Sequence, residues 1–333
     1  MVITTDAPPV SVSGHAWSPL EPNSRNCVFP DIMVKRYLTA TADKGRRLDQ
    51  FLAERSPDLS RTLVRKIIDV GGVHINGRRV RKAGMILDEA LQIELHRDRG
   101  ALDPFRLRED LVLCQDDYLI VVNKPAGIET QPTPARYKGT LFEALQVWLN
   151  RDRRFGRRLE IGMVQRLDRD TSGVIAFSIH PRAHKSLSTQ FQSRGATKIY
   201  LALVVGKPEP SVGRYVSNLI RDRYSNRMKS TSRGGKEAVT DYRVVSTRAV
   251  PDPISLVEVE LVTGRTHQIR AHLSEAGHPL VGDIRYGGPE QVGERSFSAH
   301  CLHSHRLEVN HPASDTPLSF LAELPAVMDI DRW

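Results

Sequence analysis

The spacing of apolar and polar positions changes period several times along the chain. Leu48, Phe51 and Leu52 recur at helical spacing, and Leu63, Ile67 and Ile68 repeat the pattern on a second segment. Ser60 stands where a helix N-cap belongs, and Gly71-Gly72 predicts where that helix stops. Val73 and Ile75 then alternate as in a strand, and Asn76-Gly77 is a tight hairpin signal. Val80, Leu91, Ile93 and Leu95 predict further strands. After a polar stretch at 99–110, residues 111–113 and 119–122 predict a hairpin turning at Gln115-Asp116-Asp117, and Leu141, Leu145 and Trp148 mark one helix face. Apolar runs at 174–177, 200–205, 242–245 and 256–262, punctuated by Gly and Pro, predict an α+β fold with a mixed, mainly antiparallel sheet. Within 198–203, Lys198, Tyr200 and Ala202 share one strand face, and Ile199, Leu201 and Leu203 share the other.

The same pattern divides the chain. Residues 1–34 carry Pro8, Pro9, Pro19, Pro22 and Pro30 with few large apolar residues, so a disordered tail is expected there. A small module at 35–98, a linker at 99–110 and a larger unit at 111–333 follow. A chain of 333 residues is long enough for two cores.

Charge changes the picture further. The net charge is +9, and between Lys44 and Lys82 there are 11 Lys/Arg against 4 Asp/Glu, a local excess of seven that points to RNA. Further basic clusters lie at 151–158 and 214–236. No apolar run approaches the ~20 residues of a membrane helix, and the first residues lack the pattern of a secretory signal. Cys27, Cys114 and Cys301 are widely separated and form no CxxC, which fits a reducing compartment, so a cytoplasmic location is expected.

Two polar motifs carry candidate chemistry. In GMVQRLDRDTSGVIAFS (162–178), turn chemistry accounts for Asp170, Thr171, Ser172 and Gly173. It accounts less well for Asp168, which precedes the turn among arginines that favour its ionised form. In LVTGRTHQIRAHLSEAGHPLVGD (261–283), Thr266 is a plausible N-cap and Gly277 a stop, with Arg265, His267, Arg270 and His272 between them. His267 and His272 are five apart, about 140° around a helix, so they do not form a metal pair. His300, His303, His305 and His311 add no ligand spacing, and no metal is expected.

The run 45–87, with its Leu-Asp-x-Phe-Leu helix, Ser-Arg, basic helix, Gly-x-Val and Asn-Gly, resembles the alpha-L (S4-like) RNA-binding fold. That resemblance implies that Arg61, Arg65 and Lys66 face RNA phosphates. The motifs VVNKPAG (121–127), RLDRDTSG (166–173), KIYLALV (198–204), GKEAVTDY (235–242), GRTHQIRAHL (264–273) and GHPLVGDIRYGG (277–288) resemble the RluA-type family of RNA pseudouridine synthases. An alpha-L module ahead of the catalytic unit matches the subgroup that modifies large-subunit ribosomal RNA.

The resemblance implies isomerisation of uridine to pseudouridine in RNA by a base-flipping enzyme without cofactor or metal, acting as a monomer. It assigns Asp168 as the catalytic carboxylate, Arg270 as its partner and Tyr200 as the aromatic that stacks on uracil. Arg166 would fill the space left in the RNA or help flip a neighbouring base, and Ile269 would form an apolar wall. One departure is Gln165, where the family usually has His. Amide and imidazole both hydrogen-bond, but only imidazole titrates near neutrality. Two rivals are a silent RNA-binding or ribosome-assembly protein on the same fold, and a two-carboxylate glycosidase using Asp170, which would release free uracil.

Overall fold

The computed structural model describes residues 32–98, 102–151, 160–249 and 253–332. Near the N-terminus, β1 (Ile32–Leu38), β2 (Val73–Ile75), β3 (Arg78–Val80) and β4 (Gln92–Asp98) form a sheet in the order β1-β4-β2-β3. Two helices, α1 (Leu48–Arg55) and α2 (Arg61–Val70), pack on it. Their core is the apolar set the periodicity picks out: Leu48, Phe51, Leu52, Ile67 and Ile68 against Val73, Ile93 and Leu95. The Ser60 side chain accepts from the Leu63 amide as an N-cap should, and Gly71 ends α2 in the left-handed region at φ 96°. Asn76 and Gly77 take φ 49° and 75°, the double positive turn that Asn-Gly favours.

Strand β1 opens at Ile32, so three residues assigned to the tail belong to the sheet. The rest of the expected tail, residues 1–31, lies outside the described residues, as do 99–101 of the linker and 152–158 of the basic cluster at 151–158.

The larger unit contains β5 (Val112–Gln115), β6 (Leu119–Lys124), α3 (Leu141–Asn150), β7 (Gly162–Met163), β8 (Ser172–Ser178), α4 (Pro181–Gln192) and β9 (Thr197–Val205). It continues with β10 (Val212–Arg221), β11 (Met228–Thr231), β12 (Lys236–Arg248), β13 (Ile254–Leu261) and α5 (Gln268–Glu275), then β14 (Gln291–Val292), β15 (Arg295–Ser296), β16 (Leu302–Asn310) and β17 (Pro317–Leu321). Eleven strands form one sheet in the order β11-β10-β12-β13-β9-β16-β8-β6-β5, with β17 beside β16 and β7 beside β8. Among the described residues its pairings are antiparallel except β16 with β8. The sheet is therefore mixed and mainly antiparallel, as expected.

Strand alternation gives this sheet a core on each side. Tyr200, Ala202 and Val204 of β9 pack with Leu145 of α3 and Leu273 of α5. Leu201 and Leu203 face the opposite way, toward Ile254, Val281 and Cys301.

The two sheets are clasped together by the segment 133–138. The Tyr137 and Lys138 amides both donate to the Val70 carbonyl, at 2.7 and 3.1 Å. Arg79 donates to the Thr133 carbonyl at 2.7 Å, and Arg136 forks onto Asp98 at 3.0 and 2.9 Å in a pair that is almost wholly buried. At Gly72 a Cβ would come within 2.5 Å of the His96 carbonyl oxygen and 3.0 Å of the Ala135 carbonyl oxygen, so only glycine permits this approach.

Candidate active site

The loop between β7 and β8 carries Asp168 and is pinned from three directions. Thr130 Oγ1 donates to the Leu167 carbonyl at 2.7 Å and accepts from the Leu167 amide at 3.2 Å. Lys124, fully buried, donates to the carbonyls of Pro125, Ile128 and Arg169 at 2.9, 2.8 and 2.8 Å. Burial pulls the Lys124 ammonium down to about 7, against the field of Asp170 and Glu129. Three carbonyl acceptors are satisfied together only by the protonated amine, so the hydrogen bonds favour the charged form. Gly173, at φ 108°, lies where a Cβ would sit 2.1 Å from the Ser304 carbonyl oxygen, because β8 runs tightly beside β16.

Helix α5 supplies the partner. Its N-cap is His267 in the left-handed region at φ 50°, not Thr266 as the pattern predicts. The expected cap is replaced by a side-chain lock one turn wide: Thr263 donates to Gln268 Oε1, and Gln268 Nε2 donates to the Val239 carbonyl and Thr240 Oγ1. So anchored, α5 presents Arg270 to two carboxylates. Nη1 donates to Asp168 Oδ2 at 2.9 Å, while Nε and Nη2 fork onto Asp283 at 2.7 and 2.8 Å. The guanidinium also lies 4.9 Å from the centroid of Tyr286.

These neighbours set the charge at Asp168. Burial opposes its ionisation, but His267, Arg270 and His300, together with the Arg270 hydrogen bond, hold the carboxyl well below the usual carboxylate range. His300 is itself pulled down to about 4 by burial and then by Arg270, so it is neutral at pH 7. Arg270, by contrast, keeps its positive charge beside Asp168 at any ordinary pH. Tyr200 is 6% exposed; burial pushes its phenol up to about 12, and the Asp168 charge adds to the rise. The ring is thus neutral at ordinary pH.

Asp168, Arg270, Tyr200, Arg166 and Ile269 all line one cleft of about 980 Å³. Arg166 is exposed at its edge, and Ile269 is buried in the core behind it. Gln165 lines the same cleft, and its Nε2 is buried without a hydrogen-bond partner. Asp170 is held by Arg169 at 3.0 and 3.1 Å, which accords with a turn residue rather than a second catalytic acid.

His267 and His272 diverge, as their spacing predicts. His267 Nδ1 bonds the Tyr286 hydroxyl, with Nε2 3.8 Å from Asp168, whereas His272 bonds Thr240 and Ser217. Nothing local in the sequence distinguishes Asp283, within 277–288, from a turn acid, and nothing local marks His267 for a place beside Asp168.

Outside the cleft, the three predicted RNA contacts stand apart from the Asp168–Arg270 pair. Arg61 and Arg65 donate to Asp49 at 3.1 and 2.9 Å and keep about half of each side chain exposed, 45% and 54%. Asp49 is wholly buried; burial alone would raise it, but Arg47 and Arg61 hold it down to about 2. Lys66 is exposed, 3.6 Å from Asp103. Cys114 and Cys301 are free thiols, and no described helix is long and apolar enough to cross a membrane.

Residues 118–275 match the RNA pseudouridylate synthase family and residues 46–93 the S4 domain. A Chloroflexus aurantiacus protein named as an uncharacterized RNA pseudouridine synthase is 38% identical over 88% of this chain and 90% of its own length. Ribosomal large subunit pseudouridine synthase D of Xylella fastidiosa is 35% identical over 84% of this chain and 86% of its own. The solved human RNA pseudouridylate synthase domain containing 1 covers 65% of this chain and 86% of its own, at 26% identity and a TM-score of 0.52. The match of sequence, module order and fold over most of its length places the chain in the RNA pseudouridine synthase family, RluA-type, with an N-terminal S4 domain: it is an isomerase acting on RNA.

Proposed function

We propose that this enzyme converts uridine to pseudouridine in large-subunit ribosomal RNA, with Asp168 as its catalytic carboxylate. The observation that carries the assignment is an ionised Asp168, aimed by Arg270 into the cleft that Tyr200 also lines. The substrate class follows from the relatives named for the large ribosomal subunit and from the basic S4 module. In the reaction the bond from uracil N1 to the ribose breaks, the base turns, and C5 bonds to the same ribose carbon. C5 loses a proton and N1 gains one, so no group leaves. A stacked uridine hides these atoms, so the nucleotide is flipped into the cleft.

Asp168 then acts on the sugar or base, and Arg270 keeps it charged and directed. Tyr200 stacks on uracil and, being neutral, accepts the C5 proton only if a neighbour takes its own. Arg166, exposed at the edge, fills the gap in the RNA, while Ile269 backs the base. Arg61, Arg65 and Lys66 of the N-terminal module, which begins with β1 at Ile32, hold phosphates. Asp168→Asn keeps size and removes the charge, so tritium release from C5-labelled uridine in ribosomal RNA should fall by about a thousandfold or more with the fold intact. Near-normal release would remove Asp168 from the mechanism. Pseudouridine mapping with and without the protein identifies the RNA; free uracil as product would mean a glycosidase.

A further inference from the structure

The face of the N-terminal sheet turned away from its own core carries three metal-ligating side chains. In the β2–β4 register, His74 stands directly opposite Glu94, and His96 is two residues further on the same face. Their neighbours Val73, Ile75, Ile93 and Leu95 point to the opposite, apolar side. One ligand atom from each of His74, Glu94 and His96 lies within 4.8 Å of the others. The separation of His96 Nε2 from Glu94 Oε2 is 3.3 Å. Two ligands at ~2.0–2.1 Å on a tetrahedral zinc stand about 3.3 Å apart, so this edge of a site is already at its length. Drawing His74 inward by about 1.5 Å completes the triangle.

Two further observations bear on the two rings. His96 is 8% exposed and meets Glu94 through Nε2, the nitrogen that would take a metal; its Nδ1 is buried without a hydrogen-bond partner and would stay so. His74 Nε2 lies 3.1 Å from the Pro134 carbonyl oxygen on the segment that clasps the two sheets. A ligating histidine commonly donates its second ring N–H to a carbonyl, which fixes the tautomer and leaves the other nitrogen for the metal. The cations nearest Glu94 and His74 in the strand register are Arg36 and Arg79, and the next pair along β4 is Asp98 with Arg136. Arg36 occupies only Glu94 Oε1, at 2.9 Å, and the Arg79 guanidinium is committed to the Gly71 and Thr133 carbonyls.

We propose that His74, Glu94 and His96 bind one zinc ion, and that this ion tightens the seam between the S4 module and segment 133–138 through the His74–Pro134 hydrogen bond. Two imidazoles and a carboxylate are the donor set of a zinc site with an open fourth position. All three ligands lie in the N-terminal module, apart from the histidines of the larger unit. The site is separate from the cleft, and no step of the isomerisation passes through it.

Full-length protein stripped with a chelator is titrated with zinc chloride against a chromogenic zinc indicator, with metal content per chain measured after gel filtration. One zinc per chain is expected, and binding should weaken at least tenfold in Glu94→Gln and in His74→Gln/His96→Gln. Equal binding by wild type and variants, or none by wild type, overturns the site. Circular dichroism checks each fold. Should the double variant unfold, Glu94→Gln decides, because it keeps both rings. Hydrogen exchange at the Tyr137 and Lys138 amides reads the seam; zinc should slow it in wild type and not in Glu94→Gln. Unchanged exchange on zinc binding overturns the role at the seam.

Discussion

Arg270 shows how much one side chain settles at this site. A guanidinium offers five donors in a plane, and here they serve Asp168 on one side and Asp283 on the other, with Tyr286 nearby. A lysine would keep the positive charge but not the fork. Arg270→Lys should therefore lower the single-turnover rate about a hundredfold while RNA affinity changes little. If affinity fell in proportion to the rate, Arg270 would be a phosphate contact. The GRTHQIRAHL motif made Arg270 readable, but Asp283 was not, because the second half of its fork exists only when α5 and the turn after Gly277 meet. Gln165 is the other instructive residue: its amide does not titrate, so no ionisation of residue 165 enters the pH profile.

At the scale of elements, the loop carrying Asp168 owes its shape to groups from elsewhere in the chain. Lys124 and Thr130 come from β6 and the segment after it, and between them they engage three backbone groups of the loop, the Leu167 amide and carbonyl and the Arg169 carbonyl. Lys124→Met keeps the stem and leaves three carbonyls unsatisfied. It should lower stability by about 3 kcal/mol or more, read from urea unfolding, and slow turnover as the loop loosens. Stability within 1 kcal/mol of wild type would show that the lysine is dispensable. The α1–α2 pair teaches the same lesson. Its helices are legible from spacing, N-cap and stop glycine, all local signals. That the Asp of the Leu-Asp-x-Phe-Leu signature is a buried hub for Arg47, Arg61 and Arg65 is a meeting of separate segments.

For the whole molecule, stability and RNA capture can be tested separately. His300 and His303 are buried, and burial pulls each down to about 4. An unfolded histidine titrates near 6.5, so between pH 6.5 and 4 the unfolded chain binds more protons. Their contribution is fully present above pH 6.5 and is lost as pH falls toward 4, up to about 3 kcal/mol for each. Urea midpoints should drop across that window; a flat profile would mean that the two rings are charged in the folded protein. The matching contribution of Asp168 is lost only below its unfolded value of about 3.9, outside that window.

RNA capture rests on exposed charge. Arg65→Gln/Lys66→Gln leaves Asp49 paired with Arg47 and Arg61, and should reduce the salt slope of RNA binding by about 2. An unchanged slope would show that these side chains do not touch phosphate. Deleting residues 1–98 is a poorer test than the sequence pattern suggests. It strips Asp98 from Arg136, which is only 5% exposed, and so disturbs the larger unit as well.

Taken alone, the sequence determined the helices and strands with strong local period, the caps and turns built on Ser60, Gly71 and Asn76-Gly77, the basic module, and the family with its expected carboxylate and arginine. Each of these depends on residues close together in the chain or on a motif held in one stretch. Tertiary structure decided the Asp283 half of the arginine fork, the His267 cap in place of Thr266, the three-sided pinning of the Asp168 loop and the seam at 133–138. It also decided the meeting of His74 with Glu94 and His96, which lie twenty or more residues apart and become neighbours only through the register of β2 on β4. The physical reason is common to all of them. Hydrogen bonds and ion pairs between distant segments depend on sheet register and helix placement, and those are set by the packing of the two cores rather than by any local pattern.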